Sequence, residues 1–155
     1  MYEATVKETL HRNFMGYTSN KTEVMIGLGM SAISDSWTVF AQNVKTVKEY
    51  QQLVNQGEIP VFRGHILSAE DQVIRKHILN IMCQFKTDWT KESDKIEAVD
   101  QHLDILKELE ADGLVQITEN GLKVLEHAKP FVRNVCMAFD KKLIDKQSEK
   151  QRFSM

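Results

Sequence analysis

The segment Arg12-Asn-Phe-Met-Gly-Tyr-Thr18 gathers one arginine, one amide, two aromatic rings and a glycine within seven residues. A guanidinium can fork onto a carboxylate with two parallel hydrogen bonds, and flanking rings can wall such a site. The same residues also suit an ordinary strand and turn, and both readings stand at this level. Gly27-Leu-Gly-Met-Ser-Ala-Ile-Ser34 is a second candidate. Its small residues allow close backbone approach, either to a ligand or within closely packed strands. It lacks the third glycine of a dinucleotide fingerprint, so a phosphate site has weak support. Arg63 is a further guanidinium suited to a carboxylate, with a salt bridge to a neighbouring acid as the alternative for both it and Arg12. Arg75 and Arg133 fall beside apolar stripes, where a role in tying the domain together is expected.

Nucleophilic and metal-centred chemistry find less support. Cys83 and Cys136 lie fifty-three positions apart, with no partner at metal-ligand spacing. Both fall in apolar-periodic segments, where a free cysteine acts as a small hydrophobe. His11, His65, His77, His102 and His127 form no pair at i, i+3 or i+4 and no carboxylate–histidine signature. Surface or capping positions are expected for them. The residues assign no catalytic group and no metal site.

Twenty lysines and arginines face twenty-two aspartates and glutamates, a formal charge of −2 over 155 residues. That near balance gives no general attraction to nucleic acid or to an anionic membrane. Between Glu97 and Asp112 six acids oppose Lys107 alone, which argues against a helix in a DNA groove. The longest apolar stretch, Val24 to Ile33, is interrupted by two glycines and a serine, far short of the ~20 residues a membrane helix requires. The first twenty residues contain acids and no apolar h-region, so no signal peptide and a cytoplasmic location are expected.

Periodicity supplies the elements that must position these groups. Residues 5–18 read as mixed, and residues 23–33 as a buried strand entering a loop, with Val24, Met25, Ile26 and Leu28 as its apolar run. A short helix is predicted over 44–55, with Val44, Val47, Tyr50 and Val54 on one face. Ser68 predicts an N-cap for a helix through Phe85 whose stripe runs Ile74, Ile78, Ile81 or Met82. A helix over 93–112 stops at Gly113, and a hairpin turns around Asn120-Gly121. A last helix is predicted over 129–146, with Pro130 in its first turn. The reading is an α+β fold, mostly helical. A winged-helix-like helix–helix–hairpin–helix domain over 66–155 follows a strand-containing unit over 1–65. That first unit has one strand and one helix, too few to close a sheet.

Taken in order, these pieces resemble a known family. Arg12 to Thr18, Gly27 to Ser34, Ala41-Gln-Asn43, Arg63-Gly64, Leu67-Ser68 and Glu70-Asp71 are similar to segments of the oxygen-independent coproporphyrinogen III dehydrogenases of heme biosynthesis. So are Ile74-Arg75, Met82-Cys-Gln-Phe85, Asp112-Gly-Leu-Val115, Arg133 to Asp140 and Phe153-Ser154. The resemblance runs essentially the whole length of the chain and points to the C-terminal portion of those enzymes.

The resemblance implies a radical S-adenosylmethionine enzyme that oxidatively decarboxylates two propionates of coproporphyrinogen III to give protoporphyrinogen IX. Its 4Fe-4S cluster is held by a CxxxCxxC loop in an N-terminal barrel, and the present residues would be the edge of that barrel and a helical cover over its open side. A second S-adenosylmethionine site would be bounded by Ile33, with Ala32 beside it and Met15 nearby. Relatives often carry glutamine at the position of Met15, and a thioether lacks the amide's two donors. Arg12 and Arg63 would meet carboxylates of the porphyrinogen or the cofactor. These 155 residues contain no CxxxCxxC, and two cysteines cannot supply three thiolates. The parent is therefore expected to be an enzyme, and this chain alone is expected to bind neither cluster nor cofactor. Its expected partners are the N-terminal radical barrel of the same protein and the porphyrinogen, with no nucleic acid and no membrane. A free-standing, non-catalytic heme- or porphyrinogen-binding module is the alternative.

Overall fold

Hydrogen bonding more than apolar burial organises the first third of the chain. The computed structural model describes residues 1–95 and 103–140. A short helix α1 (Tyr2–Val6) leads into a hairpin of β1 (His11–Asn13) and β2 (Gly16–Thr18). The strands β3 (Ile33–Asp35), β4 (Val39–Asn43) and β5 (Val61–Ile66) then form an antiparallel sheet in that order. Helix α2 (Val47–Asn55) fills the β4–β5 connection. It starts after Thr46, whose hydroxyl accepts the Glu49 amide hydrogen at 3.3 Å, a capping role that threonine suits. The helix therefore begins at Val47, and Val44 is buried outside it.

The strand predicted over 23–33 is not there. Only Met25 pairs, through one bridge to Asp35, and the regular strand begins at Ile33. Side chains occupy the backbone groups that a ladder would need. Asn43 Nδ2 donates to the carbonyls of Gly27 and Gly29 at 3.0 and 2.9 Å. The Gly27 amide donates to Ser34 Oγ and the Gly29 amide to Tyr50 Oη, each at 3.0 Å. Val24, Ile26 and Leu28, expected in a core, are 59%, 73% and 83% exposed. Where one strand was expected to be the whole contribution of this region, it supplies a three-stranded sheet.

Helix α3 (Ala69–Gln84) opens the rest of the fold with a full capping box. Ser68 Oγ accepts the Asp71 amide and the Asp71 carboxylate accepts the Ser68 amide, both at 3.0 Å, which satisfies two otherwise orphaned donors. The helix ends at Phe85, whose φ is 58°. A three-residue strand β6 (Lys86–Asp88) follows, then a 3-10 turn at Glu92–Asp94, helix α4 (Leu103–Ala111) and the hairpin of β7 (Val115–Thr118) and β8 (Gly121–Val124). The sheet order is β6-β8-β7. Thr118 pairs with Gly121, so Glu119 and Asn120 make the turn one residue earlier than predicted. Gly121 lies in the strand instead, because a Cβ there would lie 2.7 Å from the Thr87 carbonyl oxygen of β6.

The final helix also starts later than predicted. Pro130 falls within a 3-10 segment, Glu126–Phe131, and α5 is Val132–Met137. Residues 96–102 and 141–155, which carry parts of both predicted C-terminal helices, lie outside the described residues. Ile81, Leu106, Val115, Val124, Val135 and Phe139 centre one core between α3, the sheet, α4 and α5. Each large apolar side chain buried this way contributes roughly 1.5–3 kcal/mol relative to exposure. Most hydrophobic stabilisation therefore resides after residue 80. His77 belongs to this interior, with no exposed surface, rather than to a surface or cap position. Arg133 is exposed and has no ion pair among the described residues, so it does not supply the tie expected of it.

Candidate functional site

Two aromatic rings divide the clefts that hold the candidate residues. Phe14, in the β1–β2 turn, meets Phe40 of β4 edge to face, with centroids 5.1 Å apart. A cleft of about 240 Å³ lined by Arg12 and Arg75 contains both rings. An adjoining cleft of about 300 Å³ contains the same rings with Ile33, Gln42 and Arg63. The structure thus brings Arg12, Ile33 and Arg63 around one aromatic pair. Neither cleft includes Met15 or Ala32. Met15 is 88% exposed at the hairpin tip, where its amide donates to Asn13 Oδ1 at 2.9 Å. Ala32 is half-buried, with its methyl group against Gly27.

Arg12 and Arg63 are each held by something other than an acid. Arg12 pairs across the hairpin with Tyr17, and its guanidinium lies 5.4 Å from that ring centroid. Tyr17 Oη donates to the Met82 carbonyl at 3.3 Å, which docks the hairpin on α3. The Arg12 Nε is buried without a hydrogen-bond partner among the described residues. Arg63 Nε donates to Gln42 Oε1 at 2.9 Å, while Gln42 Nε2 donates to the Ser31 carbonyl at 3.2 Å. Among the described residues neither arginine has a carboxylate partner. A guanidinium without an acid beside apolar rings can pair with a carboxylate.

Arg75 does tie elements together. Its Nη2 donates to Asp35 Oδ2 at 2.6 Å and its Nη1 to the Trp37 carbonyl at 2.9 Å. The guanidinium lies 4.7 Å from the centroids of both Trp37 and Phe40. Helix α3 thereby holds the β3–β4 hairpin that carries Ile33, Phe40 and Gln42. Sequence reasoning did not single out Phe40 or Asp35; each lies too far along the chain from its partners to leave a periodic signal.

The glycine-rich segment is held from within. A Cβ on Gly27 would come within 2.7 Å of the Ile33 carbonyl oxygen, so the residue is small to let this segment pass the start of β3. Asn43 is 5% exposed and supplies both donors to the Gly27 and Gly29 carbonyls. Asn43→Ala is expected to destabilise the fold by about 2 kcal/mol, since two acceptors lose their partner. Urea denaturation measures the loss, and a change below about 0.5 kcal/mol would mean that solvent replaces the amide.

The thiols do not favour metal binding. Burial raises Cys83 above the ordinary thiol range and pushes Cys136 up to about 12, against the opposing charge of Arg12. A thiol kept protonated is a poor metal ligand. Among the described residues no group of three or more histidines, cysteines or acids is placed to hold a metal ion. The described residues therefore offer no set of three thiolates. No helix among them is long and apolar enough to cross a membrane.

No family model matches the chain. The oxygen-independent coproporphyrinogen III oxidase of Escherichia coli strain K12 is 36% identical over 150 residues, covering 94% of this chain and 33% of that protein. The Synechocystis protein of the same name is 34% identical over 154 residues, again 94% and 33%. That of Helicobacter pylori strain 26695 is 34% identical over 146 residues, 90% and 32%. A solved structure of coproporphyrinogen III oxidase from Escherichia coli, described as a radical SAM enzyme, superimposes with a TM-score of 0.82 at 35% identity. It matches 90% of this chain and 33% of that one. The chain is homologous to these oxidases and spans about a third of the length of the curated relatives it matches.

Proposed function

We propose that this chain supplies a carboxylate-binding wall to the oxidation of coproporphyrinogen III, with the radical-generating cluster held outside these residues. The observation that carries the reading is the pair of clefts around Phe14 and Phe40, where Arg12 and Arg63 have no acid bonded to them among the described residues and Asp35, the acid lining the Arg12 cleft, is bonded to Arg75. A porphyrinogen bearing propionates offers several carboxylates at once, and S-adenosylmethionine offers one. Arg12 and Arg63 bind and orient such groups, while Ile33 and the two rings exclude water from them. Residues 1–65 act as the edge of a radical S-adenosylmethionine barrel. Residues 66–155 form the helical, winged-helix-like cover, a reading supported by the β6-β8-β7 sheet between helices. Met15 and Ala32, outside the clefts, do not enter this assignment.

Titration with coproporphyrin III, the stable aromatic form of the substrate, tests the wall. The Soret band is expected to shift on binding. Arg12→Ala and Arg63→Ala are each expected to weaken binding about tenfold or more, the loss of one charge-assisted hydrogen-bonded pair. A flat titration, or native affinity in both variants, would sink the assignment. Heme bound as tightly at micromolar concentration would favour a sequestering module instead. Anaerobic reconstitution with iron and sulfide is a separate check on the cluster. The chain alone is expected to retain no cluster absorbance after desalting, because its two thiols are buried and protonated. Stable incorporation would contradict that.

A further inference from the structure

A second pair of cavities meets at Trp37. One, of about 470 Å³, is lined by His11, Lys21, Met25, Trp37 and Arg75 among others. Its neighbour, of about 330 Å³, is lined by His11, Lys21, Trp37, Lys76 and Leu79 among others. His11, Lys21 and Trp37 are the shared walls; neither cavity includes Phe14, Ile33 or Arg63, and the larger one borders the Arg12 cleft through Asn13, Asp35 and Arg75. Both volumes fall in the range of small-molecule sites.

The charges around these cavities are mostly committed, with Glu23 and Lys21 as the exceptions. Arg75 is bonded to Asp35, Lys76 to Asp94 at 2.7 Å, and Glu8 to Lys86 at 2.6 Å. Glu23 lines the larger cavity, is exposed, and makes no ion pair with Lys21. Lys21 is left as a cation on both cavities with no acidic partner among the described residues. Beside it, the His11 imidazole is held below its ordinary range by burial and by the charges of Lys21 and Arg75. The imidazole is thus neutral at pH 7, in a positive field, with a ring N–H to donate.

Trp37 occupies its place at a cost. Its φ is 46°, a left-handed conformation that bulky residues rarely adopt. Its amide donates to Asp35 Oδ1 at 3.1 Å, its carbonyl accepts from Arg75, and its ring stacks on the Arg75 guanidinium. A glycine would meet the backbone requirement without strain. What the tryptophan adds is a flat, half-buried indole common to two cavities, beside an unpaired cation.

We propose that Lys21, His11 and Trp37 form a binding site for a flat aromatic carboxylate, beside the Arg12 cleft and apart from that of Arg63. The carboxylate meets the Lys21 ammonium and the His11 N–H, and the ring lies against the indole of Trp37. This combination of one cation, one neutral donor and one aromatic plane selects against small anions that lack a ring.

The probe is 1-naphthoate, titrated into the full chain and followed by the Trp37 indole N–H and His11 resonances. Saturable shifts at millimolar or lower concentration are expected. Lys21→Met and Trp37→Gly are each expected to weaken binding at least tenfold, with urea midpoints confirming that the variants fold. Lys21→Met removes an exposed charge, so it keeps the test valid should Trp37→Gly unfold. Arg12→Ala and Arg63→Ala are each expected to leave the shifts in place, which separates this site from the coproporphyrin clefts. No saturable shift, unchanged binding in Lys21→Met, or loss of binding in Arg12→Ala or Arg63→Ala would overturn the proposal. So would acetate or inorganic phosphate producing the same shifts at the same concentration, since the site would then read charge alone.

Discussion

Arg75→Ala is expected to lower the unfolding free energy by about 3–5 kcal/mol, the range for removing one partner of a buried ion pair. The Arg75 side chain is 15% exposed and that of Asp35 10%. Truncation leaves the Asp35 carboxylate without the guanidinium 2.6 Å away and frees the Trp37 carbonyl. It also removes a cation from between two rings, each contact worth about 0.5–2 kcal/mol depending on solvation. Lysine should rescue little of this, because an ammonium cannot bond two groups in one plane while stacking on both faces. Asp35→Leu combined with Arg75→Met should cost much less than the sum of the two single truncations, since no charge is then left buried. Urea denaturation of the native chain and these variants measures all of these quantities. A single-mutant cost below about 1 kcal/mol would place the pair among ordinary surface bridges and remove the argument that α3 holds the β3–β4 hairpin. The coproporphyrin titration is linked to the same pair. Ile33, Phe40 and Gln42 ride on that hairpin, so the Arg75→Ala chain should bind more weakly even under conditions where it remains folded.

That pair also marks the limit of what the chain disclosed as text. Arg75 could be recognised as a tie, because a guanidinium beside an apolar helical stripe must find partners. Its partners could not, because Asp35 lies forty residues earlier and joins α3 only through tertiary packing. The capping box of Ser68 and Asp71 was half legible: the cap and the acids of the first turn are local, and local signals survive folding. The apolar run of Val24 to Leu28 misled for the converse reason. Apolar alternation reports which face wants cover, but within these residues nothing covers it, and Asn43 takes the carbonyls a strand would have used. β6 is three residues long with a charge at each end, too short for any period to register. For the proposed site, Arg12, Ile33 and Arg63 could be nominated from residue type and family resemblance. Their meeting at Phe14 and Phe40 depended on sheet register, in which Ile33 pairs with Gln42 and Gln42 with Arg63.

Acidification through the range below about pH 6.5 is expected to destabilise the fold, with His77 as a principal cause. His77 has no exposed surface. Its Nε2 faces the Asp94 carbonyl at 2.8 Å, and a carbonyl can only accept, so Nε2 carries the hydrogen. Nδ1 then accepts from the Thr87 hydroxyl at 2.8 Å. The ring stacks on Phe139 and meets Trp89 edge on. Burial holds the imidazole below its ordinary value of 6.5, against the smaller opposing pull of the Asp94 carbonyl. The unfolded chain therefore binds a proton before the folded one does. The contribution of His77 to stability is fully present above the unfolded value and is lost as pH falls through the lower folded value. His11, lowered in the same direction by burial, adds to the slope. Asp94, whose carboxyl is held low by the hydrogen bond from Lys76, loses its contribution only in stronger acid. His77→Gln separates the terms: its amide can both donate to Asp94 and accept from Thr87, but does not titrate. The variant should show a flatter stability profile between about pH 7 and 5 than the native chain. His77→Ala should cost about 3–4 kcal/mol at neutral pH, from the emptied volume and two lost hydrogen bonds. Urea midpoints across that range measure both, and identical slopes for the native and His77→Gln chains would show that His77 is not a source of the acid sensitivity.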